Sequence, residues 1–210
     1  MIFYPPKPTL ISIDQPLFSQ LNDDLNVIAE LKYNGNNLVL HRFEDGRFEF
    51  WNRYGLKFNY EPSKEVLSDL QNMSWAGYCV VNGELRHNKV KGIRHHIVLW
   101  DMFISNGVSL KSLQFRERRA ELEKLFGSKQ ESVTPTEFYL SDFKKVFDEY
   151  TKLPEIEGLV MKKLDAKLEL GYTSSPTVKY MFKVRKSNGS YKFWKEWIWD
   201  ILKLLKNGMR

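Results

Sequence analysis

The sequence is poor in the residues that tie small proteins together or hold metals. Across 210 residues there is one cysteine, Cys79, and four histidines. A single cysteine excludes an internal disulfide and points to a reducing compartment. One cysteine and four scattered histidines also exclude a zinc site built from the usual spacings. The opening "MIFYPPKPTL" lacks the basic start and apolar stretch of a secretory signal, and no apolar run reaches membrane-spanning length. Internal repeats and low-complexity segments are absent. These absences predict a soluble intracellular protein, in the cytoplasm of its own cell or of a viral host, with no membrane partner. Acidic residues are outnumbered, 26 against 32 lysines and arginines, for a net charge of +6. A basic balance makes nucleic acid the natural partner class. Apolar residues at 42% and aromatics at 14% are enough for a real core, so the chain is not disordered.

Prolines 5, 6, 8 and 16 break up the first 26 residues, which predict an irregular entry with a short helix. Apolar, β-rich runs at 26–33 and 37–43 flank Asn34-Gly35, a pair that by itself reads as a hairpin turn. Residues 44–46 form a second turn signal, and 47–53 alternate as a strand does. Helical spacing over 63–73 follows a candidate cap at Ser63. Strands are predicted at 77–85, 94–104, 157–164 and 178–186. Helices are predicted at 112–127, with Gly127 as the stop, and at 141–152. No regular strand–helix–strand alternation is present, so the class is α+β with antiparallel sheets. Residues 187–210 stand apart. Phe193, Trp194, Trp197, Ile198, Ile201, Leu204 and Leu205 recur at helical steps opposite lysines and acids. That pattern predicts an amphipathic helix that docks on the preceding domain, 1–186, or serves as a partner-subunit or membrane-surface helix.

Charged residues placed at the edges of apolar strands carry the chemical signal. "AELKYNGNN" (29–37) sets Lys32 and Glu30 beside a turn, and "WNRYG" (51–55) sets Arg53 after an alternating strand. "VVNGEL" (80–85) ends on Glu84 and Leu85, and "LWDMF" (99–103) follows. "EGLVMKK" (157–163) begins with Glu157, while "FKVRK" (182–186) carries Lys183 and Arg185. Burial at such positions is costly unless a charged ligand or partner compensates. Alternation along a strand puts Lys183 and Arg185 on one face, suited to two cations gripping one phosphate.

In this order the motifs resemble those of the covalent nucleotidyltransferase superfamily: ATP-dependent DNA ligases, RNA ligases and mRNA capping enzymes. The resemblance covers roughly residues 25–186. It implies a fold of two antiparallel sheets flanked by helices, ATP-grasp-like, with the nucleotide in the cleft between them. It also implies ATP as substrate with Mg²⁺ (or Mn²⁺), and a nicked duplex of DNA or RNA as partner. By the same resemblance Lys32 is the nucleophile that takes AMP as a phosphoramidate, and Glu30 reads the amino edge of adenine. Trp100 stacks on the base, Glu84 holds the ribose hydroxyls and Arg53 contacts ribose or phosphate. Lys183 and Arg185 grip the α-phosphate, and Glu157 lies near ribose and metal. Three positions depart from the usual pattern. Asn34 replaces the aspartate two residues after the lysine, and Arg185 replaces a lysine. Asn37, a further candidate in the nucleotide site, stands where DNA ligases carry arginine and matches nick-sealing RNA ligases of phage type. Only 25 residues follow Arg185, too few for the OB-fold domain of DNA ligases and capping enzymes, so either a minimal catalytic domain or one domain of a split enzyme is expected. DNA nick sealing is the favoured expectation and RNA ligation the alternative. A GTP-using capping enzyme and a non-catalytic nucleic-acid-binding module remain further readings.

Overall fold

The computed structural model describes residues 1–127 and 130–186; the amphipathic segment 187–210 lies outside them. The described chain runs β1 (Lys7–Leu10), α1 (Pro16–Asp23), β2 (Val27–Tyr33), β3 (Asn36–Arg42), β4 (Phe48–Asn52), α2 (Lys64–Asn72), β5 (Cys79–Arg86) and β6 (His96–Ser105). It continues through β7 (Val108–Ser109), α3 (Phe115–Glu123), β8 (Val133–Pro135), β9 (Phe138–Tyr139), α4 (Phe143–Tyr150), β10 (Ile156–Lys163) and β11 (Thr177–Arg185). Among the described residues no helix is long and apolar enough to cross a membrane.

The strands form two sheets. One has the order β1-β11-β10-β2-β9, and the other β4-β3-β5-β6-β7, with β8 pairing β6. The α+β class and the two-sheet architecture stand. Among the described residues neither sheet closes into an OB barrel. Most neighbours are antiparallel, as expected; β1 runs parallel to β11 and β8 parallel to β6. Strand β1 was hidden by its prolines. Proline lacks a ladder donor and is tolerated at a sheet edge, where β1 indeed sits.

Asn34-Gly35 does not close a hairpin. Strand β2 pairs with β10 and β9, whereas β3 pairs with β4 and β5. The short link therefore carries the chain from one sheet to the other, directly after Lys32. Close packing dictates glycine here: a Cβ on Gly35 would meet Glu84 Cγ at 2.5 Å and the Leu85 carbonyl oxygen at 2.8 Å.

Each sheet has its own apolar layer. Leu38, Leu40, Leu70, Val81, Leu99 and Leu122 join β3, β5 and β6 to α2 and α3. Phe18, Leu31, Phe143, Leu159 and Met161 join β2 and β10 to α1 and α4. Helix α2 begins as predicted, with the Val66 N–H donating to Ser63 Oγ. Helix α3 is shorter than predicted. The Glu117 carboxylate accepts from the Gln114 N–H at 2.7 Å and fixes the start. The end falls at Lys124 rather than Gly127. Buried Arg118 ties this helix to β6 through two bonds to Asp101, at 2.8 and 3.0 Å.

Candidate active site

Register across β2, β10 and β11 builds one wall of a cleft. Gly158 stands opposite both Lys32 and Arg185, and Val160 opposite both Glu30 and Lys183. Two rows result, Lys32–Gly158–Arg185 and Glu30–Val160–Lys183. Alternation puts both rows on the same face. Gly158 keeps its row tight, since a Cβ there would lie 1.9 Å from the Val184 carbonyl oxygen.

The second sheet supplies the other wall. On β5, Asn82 and Glu84 alternate toward the cleft, and Glu84 pairs with Asn37 on β3. The β5–β6 register slips between Asn82 and Gly83, whose partners are Asp101 and Leu99, so Trp100 is left as a bulged residue. A bulge re-aims a side chain, and Trp100 lines the cleft with its Nε1 donating to Asn82 Oδ1 at 2.9 Å. Asn82 in turn donates to the Leu38 carbonyl at 2.7 Å, which locks the indole's orientation.

Of the residues singled out from sequence, Lys32, Glu30, Asn37, Arg53, Glu84, Trp100, Lys183 and Arg185 all line this cleft. Glu157 does not line it directly but meets Lys32 Nζ with Oε2 at 2.5 Å and Arg185 at 3.4 Å. Sequence reasoning missed Asn82, Lys162 and Arg119. Asn82 lies two residues before Glu84 and Lys162 two after Val160, so strand alternation could have found both. Arg119 reaches the site from α3, and no strand-based signal announces it.

The charges divide the cleft into two ends. At one end Lys32, Lys183, Arg185 and Arg53 gather. Burial pushes the Lys183 ammonium down, and Arg185, Lys32, Arg53 and Lys7 push it the same way. A cluster of cations this close is shaped for an anion. At the other end Glu30, only 2% exposed, sits between two cations. Lys162 Nζ lies 2.5 Å from its Oε2, and Arg119 Nη1 lies 3.5 Å from its Oε1. Glu30 Oε1 has no hydrogen-bond partner among the described residues. Burial pushes the Glu30 carboxyl up, opposed by Lys162 and Arg119. Between the two ends Glu84 is almost fully buried. Desolvation raises its carboxyl to about 7, with Lys32 and Arg53 opposing.

Comparisons with known proteins bear on the fold. Residues 86–184 match the sequence model of the ATP dependent DNA ligase domain. That span holds Trp100, Glu157 and Lys183, while Lys32 and Glu30 precede it. The structure superposes on mycobacterial DNA ligase D complexed with ATP and MES, with a TM-score of 0.66 and 18% identity, over 89% of this chain and 61% of that one. The fold is that of the ATP-dependent ligase adenylation domain. The ATP-dependent DNA ligase from bacteriophage T7, in complex with ATP, shares this ligase fold at a TM-score of 0.55 and 14% identity, over 88% of this chain and 69% of that one. An archaeal ATP-dependent RNA ligase shares it at 0.50 and 16%, over 86% and 48%. No curated protein matches the sequence. The chain thus spans about 61% of the mycobacterial ligase structure.

Proposed function

We propose that the chain is the adenylation unit of an ATP-dependent polynucleotide ligase, with Lys32 as its nucleophile. The observation that carries this reading is the pair of rows on the first sheet. They bring Lys32 beside the cations Lys183 and Arg185, with Glu30 one row away. A lysine at the cationic end of the cleft is placed to meet the α-phosphate. The unprotonated Nζ attacks the α-phosphorus, a P–N bond forms, and the bond to pyrophosphate breaks. Glu157 Oε2, 2.5 Å from Nζ, is the nearest group to take the proton lost by the amine. Lys183 and Arg185 stabilise the charge that builds on the phosphoryl oxygens. AMP then passes to a 5′-phosphate, and a 3′-hydroxyl displaces it to seal the strand.

The residues fit adenosine triphosphate at both ends. Glu30 Oε1, which accepts no hydrogen bond among the described residues, is an acceptor suited to the amino group of adenine and ill suited to the carbonyl of guanine, which argues for ATP over GTP. Trp100, fixed by Asn82, offers the base a stacking face, and Glu84 offers the ribose an acceptor. Among the described residues no group of three or more His, Cys, Asp or Glu could hold a metal. Mg²⁺ would therefore come with the phosphates, neutralising the leaving pyrophosphate, with Glu157 as the carboxylate placed to help hold it.

DNA nick sealing is the first reading, supported by the DNA ligase domain match. RNA sealing is the second, favoured by one residue. Asn37 faces the cleft beside Asn82 and Gly83 where DNA ligases carry arginine. A panel of nicked DNA, nicked RNA and hybrid duplexes, offered with ATP and with pre-adenylated ends, separates the two. Sealing of nicked DNA supports the first reading and sealing confined to RNA the second. Failure on every pre-adenylated end overturns both.

A further inference from the structure

The sequence "FRERRAELEKLF" forms α3, outside the cleft, and the reaction above makes no use of it. One of its side chains nevertheless reaches Glu30, a residue of the cleft wall. Arg119 is 7% exposed and extends from α3 toward β2. Three of its contacts are ordinary and fix its pose. Nε donates to Glu123 Oε1 at 2.8 Å, Nη2 donates to the Thr136 carbonyl at 2.8 Å, and the guanidinium lies over the Phe138 ring at 5.5 Å. The fourth is different. Nη1 points at Glu30 Oε1 from 3.5 Å, and both atoms are buried with no hydrogen-bond partner among the described residues. The two atoms meet as an ion pair without a hydrogen bond, which leaves the hydrogen-bonding capacity of each unfilled at a cost. Glu30 itself lines the wall of the cleft, while Arg119 contacts it from outside that lining.

We infer that Arg119 is a positioning residue for base recognition, holding Glu30 from behind as an anionic acceptor aimed into the cleft. This inference rests on the adenylation reading above. The choice of arginine has a physical reason. Glu30 has a nearer cation in Lys162, but an ammonium buried to 3% exposure can give its proton to the carboxylate and leave a neutral pair. A guanidinium keeps its charge in proteins. Arg119 therefore favours the ionised form of Glu30 and opposes transfer of the Lys162 proton to it. Its other bonds, to Glu123 and Thr136, prevent it from following Glu30 into the cleft.

The test is a comparison of two nucleotides in equilibrium binding to the full chain: ATP with its α,β-bridge blocked, and the same analogue of purine riboside triphosphate, which lacks the exocyclic amine. A hydrogen bond to a charged acceptor gives the wild type a preference for the amino-bearing nucleotide on the order of tenfold or more. Arg119→Met should bring that preference to below about threefold by weakening only the amino-bearing nucleotide, with affinity for the deamino nucleotide kept. Arg119→Lys, which retains the cation, should fall between. Glu123→Ala, which frees the outer end of Arg119 without touching the cleft, should lower the preference more weakly. Retention of the wild-type preference in Arg119→Met overturns the inference. If that variant does not fold, unchanged preference in both Arg119→Lys and Glu123→Ala overturns it. A wild type that binds both nucleotides equally overturns base reading by Glu30, and the Arg119 role with it. A wild type that binds neither overturns the adenylation reading itself.

Discussion

Lys32 and Glu157 come from strands paired across the first sheet, and their side chains meet at 2.5 Å. Side chains here are 16% and 20% exposed, so the contact is partly screened from water and more than a surface ion pair. Replacing Glu157 by glutamine keeps the shape and removes the base. The rate of AMP transfer to the protein should fall on the order of 100-fold, while nucleotide binding persists. Single-turnover labelling and equilibrium binding, measured on the same preparation, check both halves.

Glu84 sets a pH dependence of stability. Its folded carboxyl titrates near 7 against an ordinary value of 4.5, so the native state binds more protons than the unfolded chain between those values. Stability from this group is full below about pH 4.5 and is lost as pH rises through 7. The whole effect is roughly 3 kcal/mol. Urea unfolding at pH 5 and pH 8 should show wild type losing about that much relative to Glu84→Gln, which has no proton to lose.

The buried Arg118–Asp101 pair braces α3 against β6, next to the bulge that aims Trp100. Arg118 also donates to the Leu113 and Ala166 carbonyls at 2.9 and 3.1 Å. Arg118→Met leaves a buried carboxylate unpaired and should cost about 3–5 kcal/mol, read as a shift in urea midpoint. Asp101→Asn keeps the shape and should cost less.

Gly158 has no room for a side chain. In Gly158→Ala the new methyl would overlap the Val184 carbonyl, and β10 must move from β11. Destabilisation of about 1–3 kcal/mol is expected, together with a loss of AMP transfer larger than that in a neutral surface variant. A crystal structure of the variant should show Arg185 displaced from Lys32.

The order of charged motifs at strand edges, through its resemblance to a known family, makes much of the site legible in advance. Glu30, Lys32 and Glu84 follow from that resemblance, and Lys183 and Arg185 also from alternation along one strand, and the structure gathers them in one cleft. The missing parts depended on contacts that periodicity does not encode. The Asn34-Gly35 pair has hairpin chemistry, yet its strands found partners in different sheets because each buries its own apolar face. Strand β1 was masked by prolines that only an edge position tolerates. Trp100 follows from the resemblance, but the register slip that aims it does not, and Arg119 contacts Glu30 from a helix whose spacing describes its own packing alone.

The central claim is that Lys32 carries AMP. Incubation of the chain with ATP labelled in the α-phosphate, followed by denaturation and peptide mapping, tests it most directly. The account predicts a covalent label on the peptide containing Lys32, none from γ-labelled ATP, and none on Lys32→Ala. An unlabelled wild type, or a label that survives Lys32→Ala, would contradict it.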